Sequence, residues 1–351
     1  VLFGGGVTDH QRLADRNLTL PVTLDDLLKD VPEVVAGMPT RDAQNRWFAT
    51  GLSSFGIFYN RQHCEQRGVD SPRSWEDLAD PRFYGWVGVA DPAASGSHLQ
   101  CMILILQKHG WDEGWSLILR TLANSRALVE RSSTALRQTQ NGVFLATFAV
   151  NFDGQTLARD NSLLGYINPR GATAVTPDVI CALRGAKDPE LARAFVRYCL
   201  GDEGQRLWGA MPEPSSQLPP LFHYPITPAL YTSMAGRLSV GEKPLQHDCG
   251  IRNDLDRATR LARVLPPLVA AACRDNHVPL QQAWRLVIDA GMPANALAEL
   301  TTPPIDEATA LQLADRFATD EQAAASMQAE WTASFAARYI RAQQIAGARA
   351  E

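Results

Sequence analysis

Apolar and polar positions change over in blocks along the chain as far as Leu200, and each block follows the same order. Val87 to Ala90 is a short apolar run that stops at Asp91-Pro92. A loop of small residues follows. Apolar residues then return at Leu99, Met102, Ile103 and Leu106, the i, i+3, i+4, i+7 spacing of one helix face. The pattern predicts strand, small-residue loop, helix. It recurs at Ala127 to Glu130, before Arg131, Ser132, Ser133 and Thr134, and again at Val143 to Val150, before Asn151, Phe152, Asp153 and Gly154. Val1 to Phe3 is the same kind of run before Gly4, Gly5 and Gly6, with Thr8 and Asp9 as candidate caps of a short helix. Near-continuous apolar strands separated by helices predict a mainly parallel sheet covered on both faces.

Other stretches fill in this plan. "ATGLSSFGIFYN" (Ala49 to Asn60) reads as extended chain, as does "ATAVTPDVICALRG". Ser74 followed by Asp77 is a variant capping box before a short helix. Asp188 and Pro189 start a helix that runs to Leu200, with Pro at its first position. Prolines cluster between Met211 and Pro228 and predict a linker. From about Asp254 the pattern is wholly helical, ending in an Ala-rich stretch from Met327 to Ala348.

Bulk properties narrow the classes. The chain has 351 residues, 45% hydrophobic and 20% charged, with a net charge of −5. That suits two or three globular units and argues against a nucleic-acid partner, which usually needs a basic face. No run approaches the ~18 apolar residues of a membrane span. The chain opens in what reads as the middle of a strand, so a strand and helix, and any signal peptide, are expected upstream of Val1. None of the six cysteines forms a C-x-x-C pair, and Cys101, Cys181 and Cys199 sit in apolar patterns as small buried hydrophobes. A disulfide cannot be assigned from their spacing.

Catalytic and cofactor signals are weak. Ser95 and Ser97 lack a G-x-S-x-G elbow, and "FGGG" is neither a P-loop nor a dinucleotide fingerprint. His98 reads as an ordinary helix residue. His247, Asp248 and Cys249 lack the second ligand pair of a metal site. No catalytic residue, metal ligand or cofactor is therefore assigned. Binding is better supported. Helix starts carry unpartnered N–H groups and a positive dipole end, which suits anions and neutral oxygens. One loop such as Ser95, Gly96, Ser97 is equally a plain cap. Several such loops at the ends of strands in one open sheet would line a single crevice.

The segments "VLFGGGVTDHQRLA", "SSFGIFYN", "SPRSWEDLADPRFYGWVGVADPAASGS" and "GATAVTPDVICALRGAKDPELARAFVRYCLGDEGQRLW" follow one another in a familiar order. Over about Val1 to Trp208 the chain resembles the type II, ferric-iron-type branch of periplasmic solute-binding proteins of ABC importers. The resemblance implies an α/β fold of two lobes joined by crossing strands, with the ligand between them, and here a helical C-terminal extension. Lobe I would comprise residues 1–54 and a return segment with the proline-rich linker, 171–243. Lobe II would be 55–170, and the extension, 244–351, is expected to pack on lobe I. The implied ligand shell is Gly5, Gly6, Ser53, Ser54 and Thr173 with Ser95, Gly96, Ser97, Ser132, Ser133, Thr134, Asn151, Phe152 and Asp153.

The resemblance also implies a small-molecule ligand, a membrane permease as partner, and a periplasmic or membrane-tethered extracellular location for a protein that does not itself span the membrane. Ferric-binding relatives carry adjacent tyrosines where Phe152 and Asp153 stand. Phe cannot ligate a hard cation, so an anionic or oxygen-rich solute is expected. Ferric binding without tyrosinate, a same-fold enzyme using Asp153 or His98 as base, and a ligand-sensing domain are the alternatives.

Overall fold

A computed structural model describes residues 1–213, 216, 218–240 and 250–348. The chain forms two compact units. The first contains Val1–Ser54, Val150–Thr156 and Thr173–Asn253, and the second contains Phe55–Ala149, Leu157–Ala172 and Asp254–Glu351. His247, Asp248 and Cys249 lie outside the described residues.

In the first unit the central strand is Val175–Leu183. It pairs antiparallel with Leu2–Phe3, Thr19–Leu20 and the first half of the long strand Phe48–Asn60. These ladders are antiparallel, where the sequence pattern predicted a mainly parallel sheet. Apolar run length reports burial on both faces, not strand direction. Phe48, Ala49, Leu52, Ile180 and Ala182 form the core with Val196 and Leu200 of the helix Pro189–Leu200, which begins at the expected proline behind an Asp188 cap. The helix Val7–Asp15 is capped by Gly6, so Thr8 and Asp9 fall inside its first turn. The Met211 to Pro228 stretch is only partly a linker. Tyr224–Pro225 pairs with Gly51 and Leu52, and Phe222, Tyr224 and Ile226 are buried.

In the second unit the predicted parallel arrangement is present. Val87–Ala90 pairs parallel with Ser125–Val129 on one side and with Ala146–Val150 on the other. Ile57 to Asn60 pair antiparallel with Leu164–Ile167. Asn60 then closes its strand by capping the next helix: its Oδ1 accepts from the His63 N–H at 3.1 Å. Gly96–His109 and Trp111–Ala123 cover the sheet. In the first of these, six consecutive residues, Cys101 to Leu106, are all buried. A helix apolar all round needs cover on more than one side.

The C-terminal helices supply that cover, which corrects the expectation that they pack on lobe I. They belong to the second unit. Leu255–Val269 packs on Gly96–His109, and His277–Asp289 and Ala294–Thr301 pack on Trp111–Ala123. The long helix Glu321–Gly347 then packs on His277–Asp289 and Ala294–Thr301. Among the described residues no helix is long and apolar enough to cross a membrane. Cys64, Cys101, Cys181, Cys199 and Cys273 are buried free thiols.

Candidate functional site

The polar residues predicted from sequence fall into two groups, one in each unit. In the second unit Val87–Ala90 and Ser125–Val129 run parallel, so the loops after them leave the same sheet edge. Asp91 builds the first loop. Its carboxylate accepts from the Ala93 N–H at 2.9 Å and its carbonyl accepts from the Ser95 N–H at 2.9 Å. Ser95 is buried and is the helix cap, its Oγ accepting from the His98 N–H at 3.4 Å. Gly96 is exposed and Ser97 half-buried, and the Ser97 hydroxyl lies 3.4 Å from that of Ser95. In the second loop no side chain among the described residues caps the helix Ser132–Gln140. Ser133 is exposed, and Ser132 and Thr134 are half-buried.

His98 sits behind this loop as a structural residue. Its Nδ1 accepts from the Ala90 N–H at 2.9 Å, tying helix start to strand end. The ring is fully buried against Phe148, and burial pushes its pKa down to about 3. A ring that stays neutral and is already engaged at Nδ1 is unsuited to act as a solvent-facing base.

In the first unit Gly4 and Gly5 have φ of +88° and +85°, a conformation that favours glycine. Gly5 and Gly6 are exposed. Asn151 is fully buried and both ends of its amide are spent on backbone. Oδ1 accepts from the Ser54 N–H at 2.8 Å, and Nδ2 donates to the Phe222 carbonyl at 2.6 Å. It therefore fixes the neighbours of the site. Thr173 is buried beside Gly250 in an isolated bridge. Asp153 is half-buried, and desolvation raises its carboxyl pKa.

Ser53 and Phe152 lead to residues that the sequence reading did not single out. The buried Ser53 hydroxyl donates a short hydrogen bond to Asp178. His223 Nδ1–H donates to the Leu221 carbonyl at 2.9 Å, which leaves the Nε2 lone pair 3.7 Å from the same Asp178 oxygen. With the Asp178 carboxyl ionised, two acceptors thus stand side by side beyond direct hydrogen-bond distance, a spacing that suits a group able to donate to both. Burial raises the Asp178 pKa to about 7 and lowers that of His223 to about 4. Even so, 27% of the Asp178 side chain reaches solvent. The His223 ring stacks on Phe152 at 4.3 Å and leans on Trp208 at 4.5 Å, and Trp208 stacks on Phe3. The cluster offers carboxylate, imidazole and hydroxyl beside aromatic faces. One signal for Asp178 was available: a lone carboxylate inside an apolar strand, "TPDVICAL", carries a cost that usually reflects a task. His223, in a proline-rich stretch, carries no such signal.

Sequence comparison places this framework. The pattern of bacterial extracellular solute-binding proteins matches residues 6–222, more than half of the chain. The chain belongs to this family. Phosphoglycerate transport regulatory protein PgtC of Salmonella typhimurium is 26% identical over 199 residues, covering 57% of this chain and 47% of that protein. The chain thus spans about half the length of this relative. An uncharacterized protein of Haemophilus influenzae is 26% identical over 210 residues, covering 59% of this chain and 60% of that protein.

Among solved structures, the periplasmic binding protein AfuA of Actinobacillus pleuropneumoniae, with fructose-6-phosphate bound, has a TM-score of 0.58 at 17% identity and covers 80% of each chain. Apo ferric ion-binding protein A of Pasteurella haemolytica has a TM-score of 0.51 at 14% identity, covering 69% of this chain and 76% of that one. These likenesses show the two-lobed periplasmic-binding-protein fold. The helical extension from Leu255 lies beyond the family match.

Proposed function

We propose that this solute-binding family member captures a hydroxylated organic anion and presents it to the permease of an ABC importer outside the cytoplasm, in the periplasm. The observation that carries the reading is the family match over residues 6–222. The chemistry of the two polar groups supports the ligand class. Asp178 and the His223 Nε2 are neighbouring acceptors for ligand hydroxyls, with Phe152 and Trp208 as apolar faces beside them. Helix starts at Gly96–Ser97 and Ser132–Thr134 have the N–H and hydroxyl donors an anion needs. A relative whose name refers to phosphoglycerate transport and a fold neighbour holding fructose-6-phosphate are consistent with such a ligand.

Ferric ion as cargo is less well supported. The Phe152 ring stacks on His223, and among the described residues no three His, Cys, Asp or Glu side chains gather as a metal site. A thermal-shift screen of phosphorylated sugars, 3-phosphoglycerate, organic acids, inorganic phosphate and Fe(III) tests the reading. A saturable ligand raises the melting temperature by mass action. A response to Fe(III) alone, or to none of them, refutes it.

A further inference from the structure

The C-terminal helices do more than cover apolar surface. They touch the rest of the second unit at two points that lead directly into its polar loops. At the first, Trp284 Nε1 donates to Asn124 Oδ1 and Gln281 Nε2 donates to the Ser125 carbonyl, both at 2.7 Å. Ser125 opens the strand that runs toward Ser132. At the second, Arg274 Nη1 lies 3.3 Å from Asp91 Oδ2. Asp91 is the residue whose carboxylate and carbonyl shape the turn that delivers Ser95 to its cap.

Arg274 closes a π-helical turn, Ala270–Arg274, that follows Pro266 and Pro267 of the preceding helix. Such turns are rare and are found preferentially at functional places. Arg274 is also held from behind. Its Nε lies 3.2 Å from Asp275 Oδ1, and Asp275 Oδ2 accepts from Gln328 Nε2 at 2.8 Å on the long terminal helix. A continuous polar chain therefore runs from that helix through Asp275 and Arg274 to Asp91.

The pair contributes little to stability as such. Arg274 and Asp91 are 44% and 15% exposed, and solvent-reaching ion pairs are weak. The extension is already anchored by fully buried Leu261, Leu265, Leu268 and Trp284. What the pair changes is geometry, because it fixes the carboxylate on which the Asp91 to Ser95 turn is built.

We propose that Arg274 is a positioning residue for solute capture, and that the C-terminal extension holds the Asp91 to Ser97 loop in its binding geometry through the Arg274–Asp91 contact. This rests on the reading of that loop as solute-facing. The test compares Arg274→Ala and Arg274→Lys with wild type in the full chain, by hydrogen–deuterium exchange and by calorimetric titration with 3-phosphoglycerate and fructose 6-phosphate. Arg274→Ala is expected to speed exchange of the Ala93 to His98 amides by about tenfold, a local opening. Exchange around Leu265 and Trp284 stays unchanged. The Kd of whichever probe binds rises by about tenfold, and Arg274→Lys restores part of both effects. Unchanged exchange at Ala93 to His98 overturns the proposal, as does faster exchange with an unchanged Kd. If wild type binds neither probe, the solute reading is what fails, and the exchange result alone then decides whether Arg274 holds the loop.

Discussion

Asp178→Asn isolates the electrostatic cost built into the first unit. Burial lifts the Asp178 pKa from 3.8 to about 7. Below about pH 4 the carboxyl is neutral in folded and unfolded chains alike, and it imposes no cost. Between pH 4 and 7 the unfolded chain releases the proton while the folded one retains it, so stability falls as pH rises, and the loss is complete above 7. A shift of about three pKa units corresponds to roughly 4 kcal/mol. With 27% of the side chain reaching solvent, hydration brings this down to the order of 2–3 kcal/mol. Asn keeps an oxygen for the Ser53 hydroxyl but carries no charge. Urea denaturation across pH 4 to 8 should show the variant matching wild type at pH 4 and exceeding it by about 2–3 kcal/mol at pH 8, a midpoint gain of roughly 1 M. The same variant should bind solute more weakly at pH 8, because the carboxylate is the stronger acceptor. Parallel stability curves for the two proteins across this range would refute the burial argument.

Ser95→Ala and Ser97→Ala should separate capping from binding. Ser95 caps its helix, so its loss should lower stability by about 1 kcal/mol. Ser97 contacts only the Ser95 hydroxyl among the hydrogen bonds described, so its loss should leave the melting temperature in place while weakening solute affinity; the opposite pattern would reverse the roles. Asn124→Ala should cost about 3 kcal/mol, because its fully buried amide donates to Leu78 and Asp80 carbonyls and accepts from Trp284. Faster proteolysis of the C-terminal helices should accompany that loss, and a stability change under 1 kcal/mol would argue against the amide as an anchor.

Local structure was legible wherever period and punctuation agreed. Val87 to Ala90, the Pro189 start and the Ser74–Asp77 capping box stand where the sequence puts them. Strand direction in the first unit was not legible, because an apolar run has the same appearance in parallel and antiparallel ladders. Nor was the burial of Phe222, Tyr224 and Ile226, where prolines suggested a linker but a strand pair forms with Gly51 and Leu52. The seat of the C-terminal helices could have been inferred from "CMILIL", whose all-round apolarity demands a second cover. In the candidate site, Phe152 was singled out by its place just after a strand and Ser53 by the family resemblance. The partners that give them chemical meaning, Asp178 and His223, are 125 and 71 residues away in sequence from Ser53 and Phe152 respectively. Only the fold brings them together.

Calorimetric titration of the intact protein with 3-phosphoglycerate and fructose 6-phosphate, beside inorganic phosphate and Fe(III), tests the central claim most directly. Saturable one-to-one binding of a hydroxylated organic anion is expected, weakened by about tenfold or more in both Asp178→Asn and Ser97→Ala. Binding of Fe(III) with no heat from any organic anion, or organic-anion binding that neither substitution alters, would contradict it.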